Sequence, residues 1–306
     1  MKKIFFIIGI IAIVGIIMFI IISQPKNQTT ESQKIKVVIT IFPLYEMSKN
    51  IGGESVEVFS ILPPGVEAHA FEPKPSDIVK INEADIFVYT GKFMEPWAED
   101  IIKGTTNKNL VVIDASAGIK INKEEGHEED EFDPHIWLDF DNAKIMTENI
   151  KLGFMQKSPE NKTLFEFNAG EYKSKLTNLD NIYRQTLATC KNKTIVYGGH
   201  YAFGYLANRY GLTYFAAQGL APDAEPTAKD LALLVDQIKK EGIEYIFYEE
   251  LASPKIAQTI AGETNAKMLL LHAAHNLTKD ELAQGRTFLS IMETNLNNLK
   301  TGLSCQ

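Results

Sequence analysis

The feature that most constrains the fold is a stretch of about 30 residues, Pro159 to about Ala188, that contains no internal proline and is opened by Ser158-Pro159-Glu160. Serine at the N-cap and proline at the first helical position are helix-start chemistry, because the missing proline N–H would have no partner there anyway. Leu164, Phe167, Tyr172, Leu176, Leu179, Ile182 and Tyr183 recur mostly at steps of three to five. A helix of this length spans roughly 45 Å at 1.5 Å per residue, more than one domain needs. It is expected to be a rigid connector between two lobes.

The segments on either side share one grammar. Before the helix, β-branched or apolar runs at Lys36–Phe42, Val56–Leu62, Ala84–Tyr89 and Leu110–Asp114 alternate with helical stretches at Tyr45–Ile51, Ser76–Asn82 and Trp97–Ile102. After it, Thr194–Tyr197, Leu212–Phe215, Tyr245–Tyr248 and Met268–Leu271 alternate with Tyr201–Tyr210, Thr227–Lys240 and Ser253–Glu263, and a terminal helix is expected from about Asp280 to Leu299. Strands alternating with helices predict parallel sheets in an α/β fold. The expected divisions are a lobe over 34–157, the connecting helix over 158–189 and a second lobe over 190–306.

Ahead of the first lobe, Lys2 and Lys3 precede an unbroken apolar run from Ile4 to Ile22. This is the pattern of an export signal or a membrane anchor over 1–23, with everything after it outside the cytoplasm. No cysteine follows the run to take a lipid, and Ile20-Ile21-Ile22-Ser23-Gln24 lacks the small residues of a cleavage site, so an uncleaved anchor is favoured. Residues 24–33 read as a polar tether. The two cysteines of the exported chain, Cys190 and Cys305, are expected to pair. A formal net charge of -8 argues against a nucleic-acid partner, whose footprint is basic.

Five of the six histidines fall just past predicted strands or late in a lobe: His69, His135, His200, His272 and His275. Open parallel sheets bind ligands beyond the carboxyl ends of their strands. Imidazoles gathered there suit a borderline divalent ion such as zinc, whereas manganese prefers carboxylate oxygen; copper and nickel would also tolerate the set. His135 stands in Asp133-Pro134-His135-Ile136-Trp137, directly after the acidic run Glu124–Glu131 that carries His127. Pro134 restricts the backbone, and Asp133 is placed to orient the ring as carboxylates do for metal-bound histidines. No His-Glu-x-x-His motif pairs a ligand with a base, which disfavours a zinc hydrolase.

Together, Phe42-Pro43, Gly65-Val66-Glu67-Ala68-His69-Ala70-Phe71-Glu72-Pro73, Asp133-Pro134-His135-Ile136-Trp137, Gly198-Gly199-His200 and the long helix resemble the metal-binding receptors of ABC-type zinc and manganese importers, over about residues 36 to 300. The resemblance implies two α/β lobes joined by a rigid helix, with a metal in the cleft between them and delivery to a membrane permease. It implies His69, His135 and His200 as ligands. Zinc-type members carry a charged loop before the second histidine, longer and richer in histidine than here. Their ligand carboxylate lies a few residues past the last strand, where this chain has His272 and His275. The register of that carboxylate points to His275 as fourth ligand, with His272, or water alone, as alternatives.

Overall fold

The central β-branched runs fold as expected, because each supplies two apolar faces and a parallel strand in the middle of a sheet must cover both. The computed structural model describes residues 34–123, 132–220 and 226–306; the expected anchor, the tether and the acidic run lie outside them. In the first lobe, strands β1 (Ile35–Ile39), β2 (Val56–Ser60), β3 (Ile86–Tyr89) and β4 (Val111–Asp114) form a parallel sheet of order β2-β1-β3-β4. In the second, β5 (Thr194–Tyr197), β6 (Thr213–Ala216), β7 (Tyr245–Tyr248) and β8 (Lys267–Leu270) repeat that order as β6-β5-β7-β8. The central register sets Val37 against Ile86 and Ile39 against Val88.

The helices are α1 (Phe42–Gly52), α2 (Pro75–Glu83), α3 (Ala98–Gly104), α4 (Phe140–Lys157), α5 (Lys162–Ala188), α6 (Gly204–Tyr210), α7 (Ala228–Glu241), α8 (Lys255–Thr264), α9 (Lys279–Ala283) and α10 (Phe288–Gly302). Several starts differ from the sequence expectation, and proline explains them. Pro43 and Pro75 sit in the first turn of α1 and α2, where no donor is lost, so α1 begins as soon as β1 ends. The single terminal helix is instead two, separated by Gly285 at φ 67° and restarted by Thr287, whose side chain accepts from Ser290 N–H. Helix α4 was not anticipated. Its buried face, Phe140, Ala143, Met146, Ile150, Gly153 and Phe154, has helical spacing, but two members are too small to register as apolar. Gly153 has a reason: a Cβ there would lie 2.2 Å from Ile113 Cδ1, so a larger residue would displace the side chain through which α4 packs on β4.

Helix α5 has 27 residues and is about 40 Å long at the usual rise. Its buried stripe is Phe165, Ala169, Tyr172, Leu176, Leu179, Tyr183 and Leu187. Leu164, Phe167 and Ile182, expected on that stripe, are exposed instead. The helix packs on α1 and α4 from the first lobe and on α6 and α10 from the second. One face of each sheet therefore shares a continuous apolar core: Val37, Ile39, Ile86 and Val88 belong to the same cluster as Ile195, Tyr197, Phe247 and Leu299. The alternate strand residues face outward into separate cores, Val38 and Phe87 in one lobe and Val196 and Ile246 in the other. Among the described residues no helix is long and apolar enough to cross a membrane.

Polar links also join the lobes. Phe42 N–H donates to His275 O at 3.0 Å and Gly65 N–H to Leu277 O at 2.8 Å, while the Asn276 amide donates to Pro63 O and Val66 O at 2.8 Å each. On the other side of the site, Tyr205 donates to Asp133 O at 3.2 Å, and Arg209 holds Asp180, Asp139 and Asp141 together. Cys190, just past α5, is disulfide-bonded to Cys305 beyond α10.

Two outcomes follow from this construction. Wide closure would have to break the shared core, so X-ray scattering curves of metal-free and metal-loaded protein should superimpose, and a clear fall in radius of gyration would contradict the shared-core account. The disulfide closes a loop with a sequence separation of 115. Replacing both cysteines with serine should lower unfolding stability by up to about 5 kcal/mol while leaving metal affinity unchanged, as denaturant titration and metal competition would show.

Candidate metal centre

Each histidine of the centre is delivered by a loop at the carboxyl end of a sheet. His69 follows β2 through the turn at 63–70, and that turn is fixed by Glu67, whose Oε2 accepts from His69 N–H at 2.6 Å and Ala70 N–H at 3.2 Å. His69 is partly exposed. His135 enters from the other edge of the first lobe and is fully buried. Asp133 Oδ1 accepts from His135 N–H at 2.9 Å and lies 2.8 Å from its Nδ1, so the orienting role expected of Asp133 matches its geometry. His200 follows β5 through Gly198-Gly199, also fully buried. A Cβ on Gly199 would stand 2.5 Å from Glu249 Oε2, so glycine admits the carboxylate that lies 2.8 Å from His200 Nδ1.

With their Nδ1 atoms turned to carboxylates, His135 and His200 present Nε2 to each other at 3.1 Å, and His69 Nε2 lies 3.0 Å from His135 Nε2. The ligand atoms of His69, His135 and His200 all lie within 4.8 Å of one another. Neutral imidazoles in this arrangement direct lone pairs at a common point, and one proton cannot satisfy both contacts of His135. A divalent cation satisfies all three, which makes the donor set a fit for zinc.

His275 comes from the loop after β8 and is fully buried, its ring centroid 6.0 Å from that of His200 and 6.2 Å from that of His69. Ala274, just before it, has φ 60°, the left-handed region, a strain of the kind that clusters at binding sites. His272 points elsewhere: its Nδ1 lies 3.0 Å from Glu250 Oε1 and its Nε2 3.3 Å from Glu281 Oε1. The structure thus brings three of the predicted histidines into contact, places His275 beside them and sets His272 among carboxylates. His127 lies outside the described residues. Glu67 and Glu249 were not singled out from sequence, although Glu249 directly follows the end of β7, where the carboxyl-end rule applies to carboxylates as well as to imidazoles.

The model of the family described as "Zinc-uptake complex component A periplasmic" matches residues 37–302. The chain belongs to this zinc-uptake component A family. It is 36% identical over 302 residues to the high-affinity zinc uptake system protein ZnuA of Bacillus subtilis, covering 93% of this chain and 94% of that protein. It is also 36% identical over 300 residues to the zinc-binding protein AdcA of Streptococcus pyogenes, covering 91% of this chain but 58% of the relative's length. The solved Zn(II)-bound ZnuA-like domain of Streptococcus pneumoniae AdcA superposes with a TM-score of 0.77 at 37% identity, covering 88% of this chain and 99% of that one. The laminin-binding protein Lmb of Streptococcus agalactiae, titled a bifunctional protein with adhesin and metal transporting activity, gives 0.81 at 31% identity, covering 89% of this chain and all of that one, 100%.

The histidine cluster is electrostatically uneven. Burial and the neighbouring rings hold His69 and His135 well below the usual imidazole range, and burial takes His275 down to about 3. His200 differs: burial lowers it, but Glu249, with Glu67 and Glu250, more than offsets this and leaves it raised. Burial also lowers His272, yet Glu250 and Glu281 lift it to about 9. Burial raises Asp133 to about 7 despite the hydrogen bond from His135. Burial therefore keeps His69, His135 and His275 proton-free, and His200 is the ring of the cluster at which a proton competes best with an incoming ion. Metal affinity should therefore fall as pH is lowered through the range in which His200 and Asp133, the latter at about 7, take up protons, with a slope of no more than about two protons per ion. Competition titrations across pH would read this slope, and a slope of three or four protons would refute it. Glu249→Gln should move the fall to lower pH, since it removes a charge that raises His200.

Proposed function

We propose that this chain is an extracytoplasmic receptor that captures a divalent metal, most favourably zinc, and delivers it to an ABC-type permease in the membrane. The observation that carries the reading is the convergence of three imidazole Nε2 atoms between two lobes that share one core. His69, His135 and His200 are assigned as ligands and His275 as the fourth. The relatives named for zinc binding and zinc uptake support zinc as the transported ion. Manganese is the alternative cargo of the same importer class, disfavoured by a nitrogen-rich donor set.

The protein performs no chemistry on the ion in this reading. A zinc hydrolase needs an open coordination position beside a substrate pocket, whereas His135, His200 and His275 are all fully buried. The N-terminal apolar run Ile4–Ile22 would hold a monomer at the outer face of the membrane through the 24–33 tether, with lobes over 34–157 and 190–306 joined by 158–189. A Streptococcus pneumoniae relative is named a zinc-binding lipoprotein, which supports a membrane-held receptor.

Elemental analysis of the purified protein with competition titrations tests the reading, which fails if no divalent metal binds tightly. His275→Ala should weaken zinc binding at least about tenfold, near 1.4 kcal/mol, and His272→Ala less. A reversal of those two effects would transfer the fourth position to His272, and no effect from either would leave three protein ligands.

A further inference from the structure

His275 lacks the device that orients its neighbours. Asp133 lies against Nδ1 of His135 and Glu249 against Nδ1 of His200, each at 2.8 Å. The carboxylate beside His275, Glu67, lies 3.3 Å from Nε2 instead, and Nδ1 is buried without a hydrogen-bond partner. A ring with no such contact on its far nitrogen has to be aimed by its own main chain. That main chain is gripped residue by residue. The buried amide of Asn295 on α10 takes both backbone groups of His272, accepting from its N–H at 2.9 Å and donating to its O at 2.8 Å. Ala273 N–H donates to Glu250 Oε2 at 3.1 Å, and Ala273 O accepts from Trp137 Nε1 of the first lobe at 2.8 Å. Ala274 then turns through φ 60°, and His275 O accepts from Phe42 N–H at 3.0 Å.

The side chain that braces this stretch is the buried ring of His272. Its Nδ1 lies 3.0 Å from Glu250 Oε1, just past β7, and its Nε2 lies 3.3 Å from Glu281 Oε1 on α9. Nδ1 also stands 2.9 Å from the Ala274 nitrogen, but two flanking carboxylates favour a proton on the ring, so the pairing with Glu250 is the one that binds it. Glu250 then grips the stretch twice, one oxygen on the ring of His272 and the other on Ala273 N–H. With its nitrogens facing carboxylates on opposite sides, His272 has no lone pair to give an ion. We propose that His272 is the positioning residue of His275: clamped between Glu250 and Glu281, it fixes the course of the chain from 272 to 275. It thus does through the main chain what Asp133 and Glu249 do for His135 and His200 through their rings. The proposal rests on the metal-receptor reading above and on His275 as fourth ligand.

A double-mutant cycle read as zinc affinity by competition titration tests this. His272→Ala should weaken zinc binding by about three- to fivefold, and in a His275→Ala background it should change nothing further, because the donor it positions is gone. The visible bands of cobalt-loaded His272→Ala should move toward those of cobalt-loaded His275→Ala, a change that a loss of fold stability alone does not produce. Equal losses in both backgrounds, or cobalt bands superimposable on those of wild type, would overturn the proposal. So would a His275→Ala variant that binds zinc as wild type does. Because His272→Ala leaves the buried Glu250 without its partner, a second arm works from α9. Glu281→Gln keeps an oxygen for Thr278, which donates from N–H and Oγ1, while removing the charge that faces His272 Nε2. It should weaken zinc binding by about two- to threefold in the wild-type background and not at all beside His275→Ala, and the same loss in both would overturn the clamp. Wild type that binds no metal would defeat the receptor reading; wild type that binds metal with additive losses would defeat only this inference.

Discussion

The centre depends on two carboxylate–imidazole contacts, Asp133 with His135 and Glu249 with His200, each at 2.8 Å. Asp133 pairs with Nδ1 of His135 and Glu249 lies against Nδ1 of His200, so both rings turn Nε2 inward. Without those contacts the rings would be free to exchange tautomers and hydrogen-bond one another, and the cluster would be a polar core rather than a cation site. The carboxylates come from different lobes, so the electrostatic work of presenting the lone pairs is divided across the cleft. Both are themselves buried, which keeps them from being screened by water.

The frame around the cluster holds its rings in place. Helix α5 runs through a core common to both lobes, and the loop that carries His275 is hydrogen-bonded to the first lobe through main-chain atoms. Little conformational entropy remains to be lost on binding, so more of the interaction energy appears as affinity. Of the three clustered rings, His69 is the one partly exposed to solvent.

Much of this was legible in the sequence. The central strands were found because Val37-Val38-Ile39 and Ile86-Phe87-Val88 need burial on both faces, and the histidines stood out because they follow strand ends. Other parts were hidden for physical reasons. Helix α4 buries Ala143 and Gly153, residues chosen for close approach rather than for hydrophobicity. In α5, Leu164, Phe167 and Ile182 imitate a core stripe one step away from the real one, and only packing distinguishes the two. Glu67 and Glu249 resemble ordinary surface acids until the fold encloses them. The pairing of Arg209 with Asp139, Asp141 and Asp180 joins positions far apart in the chain and carries no local signal.

The main-chain bonds from Phe42 to His275 and from Gly65 to Leu277 have a consequence for how such a centre can change over time. They fix the place of position 275 through atoms that nearly every amino acid possesses, so the loop keeps its registry whatever side chain stands there. Scaffold and donor are thereby inherited separately. A single codon change at 275 can trade imidazole for carboxylate beside the histidine cluster, while the architecture that places the side chain there is left untouched.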